Sequence, residues 1–163
     1  MKKLLQQLAA YNTWAHREIF AVILSLQEEK QKAELASSFS SLYKTILHMW
    51  DAESIWWQRV NQQEKVVVPG NHFKGSLQEL VNGLMQQSNE WLEWVNRAEE
   101  KELEKTFHYK NLKGDPFSQE LYLVVAHVFN HGTYHRGQLI NMLRQLGVEK
   151  LPATDLIVWS RKQ

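Results

Sequence analysis

Four segments of the chain space their apolar residues with a helical period. Leu4, Leu8, Tyr11, Ala15, Ile19, Val22 and Leu26 share one stripe, which predicts a first helix over about 3–26. Leu42, Ile46, Met49, Glu53, Trp56 and Val60 mark a second over about 40–62. Ser37, Ser38, Ser40 and Ser41 precede it, and one of them is expected to cap it. Leu77, Leu80, Leu84, Met85, Trp91, Leu92 and Val95 predict a third over about 76–97. It opens on Ser76 and Glu79, the spacing of a capping box. Leu121, Val125, Val128, Gly132, His135, Leu139, Met142 and Leu146 predict the fourth, with Gly147 as its C-terminal cap.

The intervening stretches are polar or broken. Residues 28–36 read as a frayed end and connection. Residues 63–75 form a crossover with a turn at Pro69, Gly70 and Asn71 and an extended piece at 66–68. Residues 99–104 read as a solvated turn. Residues 106–111 alternate weakly, as a short strand or hairpin arm would, and Ser118 is placed to start the fourth helix. Thr154 could cap a short terminal helix. The expected fold is all-α, a four-helix bundle in one domain over residues 1–163.

Composition narrows the function classes. Nineteen basic and eighteen acidic residues leave a net charge of +1, which argues against a general nucleic-acid partner. Cysteine is absent, so the chain has no disulfide, no thiolate ligand and no thiol nucleophile of its own. No window approaches eighteen apolar residues, and the leading apolar run is interrupted by Gln6, Gln7, Asn12, His16 and Glu18. Neither a membrane span nor a signal peptide is predicted, and a cytoplasmic location is the expectation. Seven tryptophans are many for 163 residues; they point to core packing, a dimer seam or pocket walls.

The chemistry concentrates in the fourth helix, where His127, His131 and His135 are spaced by four. A histidine pair one turn apart can direct two ring nitrogens at one cation. Hydrogen-bonded structural histidines are the alternative. His135 sits in the buried stripe, where a polar ring needs a partner, and Gly132 leaves the approach open. His48 shares a face with Thr45, Ala52 and Ile55, off the centre of its stripe; ligand and structural roles both stand. His16 is expected to be exposed, His72 to lie in a loop, and His108 has no claim on a metal. Glu53 reads as a buried partner for Arg59 or a histidine, or as a partly exposed carboxylate. Arg136 reads as an anion or helix-end contact, or as surface, and Gly137 as a site of close helix approach.

The run NHGTYHRGQ at 130–138 resembles the signature of the damage-inducible DinB family. YNTWA at 11–15, HMWDAE at 48–53 and Thr154-Asp155 resemble it as well. That family is similar in fold to the bacillithiol and mycothiol S-transferases, within the DinB/YfiT-like superfamily. The resemblance implies a four-helix bundle whose second and third helices run parallel, joined by a long crossover. It implies a divalent ion, zinc or nickel, held by His48, His131 and His135, with Tyr11 and Trp14 near the bundle interior and the chains paired as homodimers. His127 stays outside that ligand set and is a candidate for proton transfer. Three neutral imidazoles leave a coordination position open, facing a cavity with Trp14, Trp56 or Tyr134 as candidate walls. The implied activity is a metal-dependent transfer in which a low-molecular-weight thiol attacks an electrophilic small molecule. A nonenzymatic metal-binding stress or damage-response protein and a metal-dependent hydrolase are the alternatives.

Overall fold

The computed structural model describes residues 1–162. It is mostly helical, with four long helices, α1 (Lys2–Leu24), α3 (Leu42–Val60), α4 (Leu77–Arg97) and α6 (Leu121–Gln145). Three short ones are α2 (Glu28–Lys32), α5 (Glu100–Leu103) and α7 (Leu156–Ser160). A single turn of 3-10 helix spans Pro69–Asn71. One small antiparallel sheet joins the helices, β1 (Thr106–Lys110) with β2 (Pro116–Glu120), its first strand where a short strand or hairpin arm is expected. Ser118 therefore does not start the fourth helix: it pairs with His108 in the sheet, and α6 begins at Leu121. Phe107, Tyr109 and Phe117 stack along that hairpin, and this pairing of aromatics holds the segment extended.

The helix ends follow local chemistry. Ser41 caps α3, accepting from the Lys44 amide, and Ser76 and Glu79 form the full capping box of α4. Gly147 adopts the left-handed conformation (φ 78°). The Val148 amide then reaches back to Leu143 and the Gly147 amide to Arg144, both at 3.0 Å, which ends α6 with its carbonyls satisfied. α2 and α5 replace the expected connection and turn, and α5 buries Leu103. Thr154 does not cap the terminal helix, whose N-cap is Asp155. The Thr154 carbonyl instead accepts from the Tyr11 hydroxyl at 2.7 Å, tying the tail to α1.

Both α1 and α3 pack against α4 and α6. Their apolar contacts fall into two clusters. One gathers Ile19, Phe20, Ile23, Ile46, Leu84 and Leu139; the other gathers Leu5, Ala9, Trp91, Val95, Val125 and Phe129. Between them in sequence, on every long helix, lie buried polar residues: Asn12 and His16 on α1, Glu53 on α3, Ser88 on α4, Arg136 on α6. The buried face of α1 is accordingly rotated from the expected stripe. Leu4 is 56% exposed, whereas His16, expected at the surface, is fully buried. The long connection after α3 is pinned by Gln58, whose side chain bonds both the amide and the carbonyl of Val67, and by Asp51, which accepts from the Gly70 amide at 2.7 Å. No helix is long and apolar enough to cross a membrane among the described residues.

Candidate metal centre

His131 and His135 project one turn apart from α6, and His48 meets them from α3. The His131 Nε2 lies 3.0 Å from the His135 Nε2 and 3.2 Å from the His48 Nε2. One ligand nitrogen from each ring falls within 4.8 Å of the other two. His135 is buried; His48 and His131 are partly so. Phe39, from the serine-rich loop before α3, stacks on His48 with ring centroids 4.3 Å apart and closes that side. An isolated aromatic among serines was the only sequence signal for Phe39.

The outer nitrogen of His135 fixes its tautomer. His135 Nδ1 lies 2.7 Å from the Gln138 Oε1, so Nδ1 carries the proton and Nε2 presents its lone pair inward. Gln138 is itself positioned through its amide nitrogen on the Ser38 hydroxyl at 3.2 Å. Three inward nitrogens crowd one another, and neutral His131 has at most one proton to share between two neighbours. Burial, and then His135, His48 and His127, push the His131 pKa down to about 3. Burial followed by His135 lowers His48, and burial lowers His135 against the pull of Gln138. All three therefore stay neutral at ordinary pH, the protonation state a ligand needs. An all-imidazole set suits a transition ion better than the oxygen-seeking calcium or magnesium. No carboxylate joins this group among the described residues, so a fourth position would remain for water or substrate.

His127 is not part of the group. Its ring is 5.8 Å from that of His131 and meets Trp56 edge-on at 5.5 Å, with one side open to solvent. Desolvation lowers its pKa. Tyr134 is 62% exposed and touches His135 only with a ring edge. Trp14 packs with Tyr11 and Trp159, away from the three histidines. His72 and His108 are exposed.

The residues around Gly132 build a second polar centre that sequence reasoning missed. Glu53 does not pair with Arg59. Its Oε1 accepts from the Asn12 amide at 3.0 Å and its Oε2 from the Ser88 hydroxyl at 2.7 Å. Arg136 is buried rather than at the surface, donating to the Asn12 Oδ1 and to the Thr133 hydroxyl. Its guanidinium lies over the Tyr11 ring. His16 Nδ1 is 3.3 Å from the Ser88 oxygen, and its Nε2 is buried without a partner. A Cβ on Gly132 would stand 2.5 Å from the Asn12 oxygen, so the glycine admits this network, whereas Gly137 has nothing within 4 Å and makes no close contact.

Comparison with known proteins agrees with the resemblance. The model of the DinB family matches residues 1–161. Protein DinB of Bacillus subtilis (strain 168) is 25% identical over 153 residues, which cover 90% of this chain and 88% of that protein.

Proposed function

The chain belongs to the DinB family, and on that premise we propose that it binds one divalent transition ion, zinc or nickel, through His48, His131 and His135. The observation that carries this reading is the convergence of three Nε2 atoms, with the His135 outer nitrogen committed to Gln138. In the same reading the four long helices are the four-helix bundle of the DinB/YfiT-like type, and residues 61–76 are its long crossover in a single domain. The ion would act as a Lewis acid, favouring the anionic form of a bound thiol or water.

The chemistry that fits is transfer of an electrophilic group to a low-molecular-weight thiol, in a cytoplasmic setting that supplies such thiols. The thiol comes from outside the chain, because the chain has no cysteine. Its sulfur forms the new bond as the leaving group departs, and the thiol proton passes to His127. The depressed pKa of His127 keeps its ring neutral and able to accept that proton. Phe39 shields one side of His48 from solvent, and Gln138 holds the His135 ring in place.

Isothermal titration with zinc and nickel tests the site. Replacing His48, His131 or His135 with Ala should weaken binding beyond the roughly 10- to 100-fold that a supporting residue commands, while His72→Ala and His108→Ala leave it unchanged. Wild-type affinity in the triple variant would remove the assignment. Adding cellular thiols to the cobalt-loaded protein should then change its absorption spectrum. A spectrum indifferent to every thiol favours the nonenzymatic metal protein, and turnover of ester or amide substrates favours the hydrolase.

A further inference from the structure

The two faces that carry the candidate ligands continue past them. On α3 the positions one, two and about three turns beyond His48 are Ala52, Trp56 and Arg59; on α6 the turns before His131 bring His127, then Val124 and Leu123. The hairpin lies across the end of this track. Trp56, Tyr109, Phe117, Leu123, Val124 and His127 line a cleft of about 400 Å³, with Gln119 the other polar group at its wall. The aromatic rings are fitted to one another: Tyr109 meets Trp56 edge-on at 4.9 Å and stacks on Phe117 at 5.8 Å. Phe117 and Leu123 remain 44% and 46% exposed at the lip, an apolar surface that this chain does not cover. His127 borders both the cleft and His131.

Arg59 lies beyond the wall that Trp56 and Tyr109 form, outside the residues that line the cleft. Its guanidinium lies 4.6 Å from the Trp56 ring centre and 5.4 Å from that of Tyr109. No carboxylate pairs with it among the described residues, and its Nε is buried without a hydrogen-bond partner. It lines the neighbouring cavity of about 480 Å³, which shares Tyr109 with the cleft and holds Lys65 and Lys110 against the single acid Glu64. A cation held on aromatic faces and lacking an anion is a place for a ligand carboxylate or similar acid.

We infer that this cleft is the subsite for the second substrate of the proposed reaction: a small molecule with an aromatic or apolar body lying against Trp56, Tyr109 and Phe117, and an acidic group reaching past Tyr109 into the neighbouring cavity to Arg59. The inference rests on the metal reading for the reaction but not for the binding. Its electrophilic end would lie beside His127, one ring away from the three-histidine group. The geometry thereby makes Tyr109, Phe117 and Arg59 specificity-determining residues.

The full-length protein can be titrated with 4-phenylbutyrate and with neutral 4-phenylbutanol, followed by ligand-observed NMR and calorimetry. The acid should bind more tightly than the alcohol. Tyr109→Ala and Phe117→Ala should each weaken both probes about tenfold, the order of one lost aromatic contact. Arg59→Gln should weaken the acid alone. With cobalt(II) loaded, the phenyl protons of the bound probe should broaden, and the broadening should vanish in His131→Ala while binding persists. Absence of binding, or binding indifferent to Tyr109→Ala and Phe117→Ala, overturns the cleft. Equal binding of the alcohol overturns the acid specificity, and bound cobalt without broadening overturns the placement beside the histidines. If wild-type protein takes up no cobalt yet shows the variant-dependent probe binding, the metal reading fails and the cleft stands.

Discussion

At the scale of single residues, two side chains set the character of the interior. Gln138 touches none of the three inward-directed histidine nitrogens, but it decides which nitrogen of His135 carries the proton. Gln138→Leu should therefore lower zinc affinity by about 10- to 100-fold with the fold intact; calorimetry at unchanged affinity would contradict this. Glu53 is the second. Burial pushes its carboxyl up to about 7, while Ser88, Asn12 and Arg136 pull the other way. The native protein thus holds this proton to a higher pH than the unfolded chain, which releases it near 4.5. The stabilising contribution is complete below 4.5 and is lost as pH rises through about 7, an effect of up to about 3 kcal/mol. The buried histidines act in the opposite sense. The native pKa values of His16, His48, His131 and His135 lie below 6.5, so their contributions are present above 6.5 and fade as the solution is acidified. Comparing metal-free wild type with Glu53→Gln isolates the carboxyl, because the glutamine oxygen can still accept from Asn12 while its amide donates to the Ser88 hydroxyl, which turns to His16 Nδ1. The stability of wild type relative to the variant should fall between about pH 4.5 and 7, measured by urea denaturation. Parallel curves would show that Glu53 does not titrate in this window.

Among the elements, α6 does most to join site and core. One face of it supplies His131 and His135; the adjoining face supplies Gly132 and Arg136 to the buried polar layer. Its two interior glycines, five residues apart, carry opposite consequences. A methyl at Gly132 would overlap Asn12, which is held on both sides by Glu53 and Arg136 and has no room to withdraw. Gly132→Ala should destabilise the protein by about 1–3 kcal/mol, overlap outweighing the gain in helix propensity. Gly137→Ala meets empty space and should stabilise it by about 0.5–1 kcal/mol. Chemical denaturation of the two variants checks the pair. The same sign for both would mean that the interior around Asn12 is looser than the packing indicates.

At the scale of the whole molecule, the tryptophans are absorbed within the chain. Trp91 and Trp159 are buried, and none of the other five tryptophans is exposed. The tryptophans therefore no longer argue for a homodimer. The proposal of pairing rests on the family resemblance, and the apolar side chains left at the surface for it include Leu4 on α1 and Leu156 and Ile157 on α7. Light scattering at micromolar concentration should give twice the 19.2 kDa of one chain. Leu4→Glu with Ile157→Glu should return the monomer without weakening zinc binding, because neither residue lies at the histidines. A wild-type monomer throughout would end the dimer proposal.

Helical period, capping chemistry and the spacing of His131 and His135 are local properties, and the sequence alone determined them. The four long helices, the capping box at Ser76 and the Gly147 terminus all lie where nearest-neighbour chemistry places them. His48 needed the resemblance, because its place off the apolar stripe says nothing about what it meets on α6. Only the tertiary structure decided the rest, because a polar residue is buried or exposed according to partners that lie far away in sequence. His16 and Arg136 look like surface groups until Ser88 on α4 meets the His16 Nδ1 and Asn12 on α1 accepts from Arg136, with Glu53 on α3 holding both partners in place. The aromatic cleft is of the same kind. Tyr109, Phe117, Trp56 and His127 come from four elements, and only the hairpin register and the packing of α3 on α6 bring their rings into one wall.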